Sequence, residues 1–553
     1  MSRKAFEWLN EETETFLSRG YLSEGETSRS RIRDIANKAE EYLGEEGFAD
    51  KFFDYMSKGY YSLASPVWAN YGKARGLPVS CFGSYIDDNM ESILYGVAEN
   101  GMLMKNGGGC SGYFGAIRGR GAPISDSGES SGSVHFMQLY DTLASVVSQG
   151  SVRRGFFAAY QDIEHPDADE FLDIGTEGNP IQGLTTSVVV SDDFLNGVKN
   201  GDPDKRRLWA KVLQTRSEIG YPYIMFKDNV NNNKPQVYKD KDMTIHASQM
   251  CSEIALPSSI DETFTCVLSS INLLHWDEIK ETDAVQTMVK FLDTVCEEFI
   301  RKSEGQEYLK RARNFSINHR ALGMGVLGWH SYLQSKMIAF ESKDAAKKNL
   351  EIAKTMKERA DEASAELAIT LGEPPLLKGY GMRNTTKMAI APTKSSSFIL
   401  GQVSQSIELE FSNCYVKDLA KIKTTIKNPY LKKLLAERDS DTPEVWKKIQ
   451  NADGSVQGLD ILTLEEKEVF KTFAEVNPYT IIDQAAIRQQ YIDQSQSLNL
   501  MLDPDMSVKD INALYLYAWE MGIKNLYYSF SMSAAQALTR KRVQSTDCAS
   551  CEG

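Results

Sequence analysis

Two rhythms of apolar and polar residues divide the chain. Residues 1 to about 62 place apolar positions at helical spacing between charged faces, as in Ser30-Arg31-Ile32-Arg33-Asp34-Ile35-Ala36-Asn37-Lys38-Ala39-Glu40, which predicts a small helical region. From about 63 onward the pattern changes. Short apolar runs such as Thr186-Ser187-Val188-Val189-Val190 and Lys387-Met388-Ala389-Ile390-Ala391 alternate with longer helical stretches, the clearest being 343–371, rich in Ala, Glu and Lys. Short buried strands alternating with helices predict an α/β architecture. No low-complexity linker interrupts it, so 63–535 reads as one body. After an aromatic segment ending near Phe530 the chain turns polar, and 536–553 reads as a mobile tail.

Composition narrows the function classes. With 553 residues, 42% hydrophobic and 25% charged, the chain can bury a large core without disulfide staples. Its net charge of −14 has the wrong sign for binding nucleic acid polymers through phosphate neutralisation, so any nucleotide must be held by a local site. The first residues lack the apolar core of a signal peptide, and no run approaches the roughly 20 apolar residues of a membrane span; the expected location is the cytoplasm. Eight cysteines, at 81, 110, 251, 266, 296, 414, 548 and 551, are scattered except for the last two. That is neither a disulfide framework nor a four-ligand zinc pattern, and no metal site is expected in this chain. A lone cysteine in a reducing compartment is ordinarily a small buried hydrophobe.

Chemistry enters at Met250-Cys251-Ser252-Glu253-Ile254-Ala255-Leu256-Pro257. On an extended backbone, residues two apart point to the same side, so the Cys251 thiol and the Glu253 carboxylate can face one substrate. The octet resembles the finger loop of ribonucleotide reductase large subunits. That resemblance implies a ten-stranded α/β barrel with a central finger loop, a thiyl radical on Cys251, and Glu253 deprotonating the ribose 3′-hydroxyl. Gln249 stands where the family usually has an Asn that bonds the substrate or the neighbouring Glu; it keeps the amide and adds a methylene.

Other segments match the same family in order, over about 60–530 and the tail. Cys81, in Pro78-Val79-Ser80-Cys81-Phe82-Gly83-Ser84, and Cys266, in Phe264-Thr265-Cys266-Val267-Leu268-Ser269-Ser270, resemble the dithiol pair whose closure to a disulfide supplies the reducing equivalents for removing the 2′-hydroxyl. Cys548-Ala549-Ser550-Cys551 resembles the tail pair that ferries electrons inward from thioredoxin or glutaredoxin by thiol-disulfide exchange. Tyr527-Tyr528 resembles the tandem tyrosines that carry the oxidising equivalent from a small radical-generating subunit, whose own cofactor is a metal, a tyrosyl radical or both. Adjacent strand residues face opposite ways, so a stacked pair requires a distorted backbone. Ala391-Pro392-Thr393-Lys394-Ser395-Ser396-Ser397, following an apolar run, suits an anion site and resembles the substrate-phosphate loop. It carries Lys394 where some relatives have an acidic residue. Ser65 and Ser80 complete the implied substrate contacts.

Regulation has its own resemblances. Segments with Asp88, Asn89 and Glu91, with Ile117 and Arg118, and with Gln149 and Arg153 in Ser148-Gln149-Gly150-Ser151-Val152-Arg153-Arg154-Gly155 are similar to the specificity site at a homodimer interface. There dNTP or ATP effectors, with Mg2+, select which nucleoside diphosphate is reduced. The residues before Ser65 are too few for an ATP-cone, which points to the short form. The expectation is a class I ribonucleoside-diphosphate reductase catalytic subunit with no covalently bound cofactor. Two readings stay open beside it: the cobalamin-dependent class of the family, against which Tyr527-Tyr528 argues, and a non-catalytic nucleotide-binding regulator, which would not explain Cys251, Glu253 and the tail.

Overall fold

The β-branched and aromatic runs form strands buried on both faces, the condition that parallel strands require when helices cover the outside. The computed structural model describes residues 4–531 apart from 75, 126–127, 150–152, 420–421 and 504–505. Its main sheet contains β1 (Tyr61–Leu63), β2 (Cys81–Tyr85), β3 (Gly109–Tyr113), β4 (Phe157–Asp162), β5 (Thr185–Val190), β6 (Tyr223–Phe226), β7 (Phe264–Asn272), β8 (Leu322–Leu327) and β9 (Asn525–Leu526). Strands β2 to β6 run parallel in chain order, and β9 closes antiparallel on β6. On the other side β7 pairs antiparallel with β2 and parallel with β8.

The ring then continues through shorter contacts. Met324 of β8 bridges Met388, and Ile390 bridges Gln496. Leu498 O accepts from Tyr527 N at 2.9 Å, and Leu500–Leu502 pairs in parallel with Ser529–Ser531. The expected α/β barrel is therefore present, as a curled sheet of nine strands extended by these contacts. The run 387–391 takes its place in the ring by isolated bridges and not as a continuous strand, because its partner at 494–497 is itself irregular. Opposite Phe264, a Cβ on Gly83 would fall 2.0 Å from the phenyl ring, so only glycine fits at that register position.

Helices Glu11–Ser18, Ser28–Leu43 and Phe48–Ser57 make up most of the N-terminal region, and Lys343–Leu371 forms as one 29-residue helix from a Ser342 cap. No helix among the described residues is long and apolar enough to cross a membrane.

One polar cluster locks the outer helices to the barrel. Asp293, buried on the helix Ala284–Lys302, accepts from Arg320 Nε at 2.8 Å, Arg383 Nε at 2.8 Å and Asn384 Nδ2 at 2.9 Å. Burial alone would raise its pKa, but the two guanidiniums hold it below the ordinary carboxylate value. Replacing Asp293 by Ala leaves two buried cations without their shared anion. We expect Asp293→Ala to lose about 3–5 kcal/mol of unfolding free energy in urea titrations; a loss below about 1 kcal/mol would show that the cluster is not the clamp described.

Candidate active site

The finger segment lies inside the ring as irregular backbone, so its polar groups must be met by barrel side chains. Ser111 Oγ of β3 donates to Ser248 O at 2.8 Å, and Tyr160 OH of β4 to Gln249 O at 2.7 Å. Ser497 Oγ donates to Cys251 O at 2.5 Å, Asn525 Nδ2 of β9 to Ser252 O at 2.8 Å, and Ser495 N to Glu253 O at 2.9 Å. Ala255 N in turn donates to Gln494 Oε1 at 3.0 Å. Ser252 has φ of 66°, so the chain turns at 250–252. The extended backbone expected between Cys251 and Glu253 is thus replaced by a left-handed turn, and the two side chains are placed by the loop's anchors and not by strand alternation.

Around this loop the reactive groups converge. Glu253 is buried; Gln249 Nε2 donates to its Oε2 at 2.5 Å and Ser497 Oγ at 3.2 Å. The longer Gln249 side chain therefore reaches the carboxylate. Burial outweighs these donors and pushes the Glu253 carboxyl up to about 7. Cys81 and Cys266, far apart in sequence, are direct cross-strand partners on β2 and β7, and both are buried thiols. Directly opposed residues in an antiparallel pair lie within the Cα separation that a disulfide spans. Burial raises the Cys81 thiol well above its ordinary value, reinforced by Glu253, Cys266 and Cys251 nearby. Burial likewise raises Cys266, whose sulfur accepts from Gln494 Nε2 at 3.2 Å. A Cβ on Gly323 of β8 would sit 2.9 Å from that sulfur. Ser80 Oγ lies 3.9 Å from Cys81 Sγ.

Two further groups reach this neighbourhood. Tyr527 and Tyr528 fall between β9 and Ser529–Ser531, where regular pairing breaks, and their rings lie 4.4 Å apart. Tyr527 packs in one buried cluster with Cys251 and Met250. At the other end, Thr393, with φ of 53°, opens the helix Lys394–Ile399, and its hydroxyl accepts from Ser406 N at 2.7 Å. Pro392 is buried beside it. Ser62 Oγ of β1 donates to Ser396 O at 2.8 Å, drawing this turn toward Ser65, which accepts from Tyr21 OH at 3.3 Å. Among the described residues, Ser395 Oγ and Ser406 Oγ are buried hydroxyls without a hydrogen-bond partner.

The family model described as ribonucleotide reductase, barrel domain, matches residues 79–205, 202–376 and 375–529. The ribonucleoside-diphosphate reductase large subunit of Invertebrate iridescent virus 3 is 32% identical, over 97% of this chain and 97% of its own. This chain belongs to the ribonucleotide reductase large subunits. The solved structure of the Actinobacillus ureae class Id ribonucleotide reductase alpha subunit is 56% identical, with a TM-score of 0.92 over 96% of this chain and 99% of that one. The ribonucleoside-diphosphate reductase large chain of Schizosaccharomyces pombe is 29% identical, over 88% of this chain and 69% of its own.

In this reductase the segments that carry Asp88 and Arg118 also meet. Arg118 Nε donates to Asp88 Oδ2 at 2.7 Å, and Arg118 N to Asp88 Oδ1 at 3.1 Å. Asn89 caps the helix Met90–Lys105, with Glu91 exposed in its first turn, while Ile117 is buried. Gln149 and Arg153 are backbone partners in a short hairpin; their side chains lie outside the described residues. Cys548 and Cys551 also lie outside them. Among the described residues no group of His, Cys, Asp and Glu side chains is arranged to hold a metal ion.

Sequence reasoning missed Gln494, Ser497 and Asn525, which pin the finger, and Tyr223, whose ring is 4.7 Å from Tyr527 and 5.1 Å from Tyr528. The polar run Gln494-Ser495-Gln496-Ser497 reads as an exposed loop; only its burial marks it as part of the ring.

The Glu253 shift has a sign that can be tested. A carboxyl that holds its proton more tightly when folded makes folding take up a proton. It therefore has no cost below its ordinary value of 4.5 and lowers stability as pH rises toward about 7. Glu253→Gln should equal the parent in urea stability near pH 4 and exceed it by up to about 3 kcal/mol near pH 8. A variant less stable than the parent at the higher pH would mean that the carboxylate is net favourable where it lies.

Proposed function

We propose that this reductase removes the ribose 2′-hydroxyl of nucleoside diphosphates through a thiyl radical on Cys251, with Glu253 accepting the 3′-hydroxyl proton and Cys81 and Cys266 closing to a disulfide. The dithiol gives up two electrons and two protons, which balances departure of the hydroxyl as water. The observation that carries this reading is the direct opposition of Cys81 and Cys266 on β2 and β7 beside the finger that bears Cys251 and Glu253. Thiols kept neutral by burial are poor nucleophiles and good hydrogen donors, which suits radical chemistry over thiolate chemistry. A carboxyl poised near 7 suits proton transfer at cytoplasmic pH.

Tyr527 and Tyr528 then relay the oxidising equivalent from a small radical-generating subunit; their close rings and the shared cluster with Cys251 support that role. The substrate diphosphate sits at Thr393, Lys394, Ser395 and Ser396 with Ser65, where two buried hydroxyls await partners. dNTP or ATP effectors bind around Asp88 and Arg118. Exposed Met90, Leu94, Leu139 and Val146 on the two adjoining helices support a homodimer contact beside them. Cys548 and Cys551 pass electrons from thioredoxin or glutaredoxin to the buried pair.

Four sets of substitutions test the assignment together. Cys251→Ser should bring dNDP formation to background while a nucleoside diphosphate still binds, because a serine O–H is too strong to serve as the radical relay. Tyr527→Phe, assayed with the small subunit, should block turnover without altering nucleotide affinity; near-normal activity would remove the tyrosine relay. Replacing both tail cysteines by Ser should stop thioredoxin-driven multiple turnover, yet leave roughly one product per site in pre-reduced enzyme. Replacing Cys81 or Cys266 should remove even that first product, and the opposite pattern would reverse the roles of the two pairs.

A further inference from the structure

One buried carboxylate lies outside the chemistry described so far, between the phosphate turn and the tyrosine pair. Glu408 is only 9% exposed and stands two residues after Ser406, whose N–H donates to Thr393 Oγ1. Asn499 Nδ2 donates to Glu408 Oε1, and Asn499 Oδ1 accepts from Tyr528 N at 3.1 Å. That N–H belongs to the stretch where strand pairing breaks, so the Asn499 amide supplies the acceptor that a regular ladder would have provided. The charged groups facing Glu408 are Lys394, at the start of the phosphate helix, and Glu410. Burial pushes the Glu408 carboxyl up to about 7; Lys394 opposes that rise and Glu410 adds to it. A polar chain thus runs from Glu408 through Asn499 to the backbone of Tyr528, with the Lys394 ammonium acting on the Glu408 carboxylate through its charge.

We propose that Glu408 and Asn499 are positioning residues that couple occupancy of the substrate-phosphate turn to the placement of Tyr528. This rests on the proposed roles of Lys394 and Tyr528. In the empty site Lys394 favours the ionised form of Glu408, which holds Asn499 through a charge-assisted hydrogen bond, about twice as strong as a neutral one. An arriving diphosphate draws the ammonium to itself. Glu408, left beside Glu410 without its cation in a buried site, shifts toward its protonated form by taking up protons from solvent, and its bond to Asn499 weakens toward a neutral one. The anchor on Tyr528 N–H then loosens, and the tyrosine pair can readjust only once substrate is bound. The arrangement ties radical entry to a loaded site, where the thiyl has something to react with.

The test uses the full chain with 3-nitrotyrosine placed at 528 as a spectroscopic reporter and CDP as the probe. CDP should shift the nitrophenol titration in the parent. Glu408→Gln, nearly isosteric, and Asn499→Leu should each abolish the shift while CDP still binds, and Lys394→Met should abolish it by removing the charge that acts on Glu408. Glu408→Gln should also tighten CDP roughly fivefold or more, because no carboxylate competes for Lys394. No shift in the parent, a shift retained in Glu408→Gln, or CDP affinity unchanged in that variant each overturns the coupling. Failure of the underlying relay reading would look different: Tyr528→Phe would remain active with the small subunit, and the nitrotyrosine response would be untouched by that result.

Discussion

An irregular loop placed inside a barrel has no ladder to satisfy its backbone, and an unmet buried carbonyl or amide costs about 1–3 kcal/mol. The finger at 248–255 meets this constraint by borrowing side chains from around the ring: Ser111, Tyr160, Gln494, Ser497 and Asn525, with the backbone of Ser495. Those anchors, more than the loop's own sequence, set where Cys251 and Glu253 point. They also explain why polar residues occupy buried positions on strands that would otherwise be apolar.

The same enclosure sets the chemistry. Removing water raises every acid that is not given a cation, so Glu253 and the paired thiols at 81 and 266 all shift toward their protonated forms. A site filled with thiolates would be reactive toward electrophiles and oxidants at large; neutral thiols keep their hydrogen atoms, as the proposed radical chemistry requires. Elsewhere in the fold the opposite solution appears. Asp293 is equally buried, yet two arginines hold it ionised, and it serves as a clamp and not as an acid. Environment, and not residue type, separates the two carboxylates.

Strand pairing supplies the remaining precision. A single register on β2 and β7 brings Cys81 opposite Cys266, and a slip of one residue would turn one thiol to the other face. At the far side of the ring, the interruption between β9 and Ser529–Ser531 lets Tyr527 and Tyr528 approach at 4.4 Å, which an unbroken strand with alternating side chains would prevent.

The sequence by itself determined the class of architecture and singled out the candidate reactive residues, because both are local. The change from helical spacing to short apolar runs is read along the chain, the helix 343–371 carries its own propensity, and the octet around Cys251 and the tyrosine pair are contiguous. Tertiary structure alone decided what lies beside what. The opposition of Cys81 and Cys266, the bond from Gln249 to Glu253, the left-handed turn at Ser252, the burial of Gln494 and Ser497, and the chain from Glu408 to Tyr528 all join segments that are separated along the chain or depend on desolvation. A polar run such as 494–497 has the same letters whether it faces water or closes a barrel. Only packing removes the water, and with it comes the demand for partners that fixes the site.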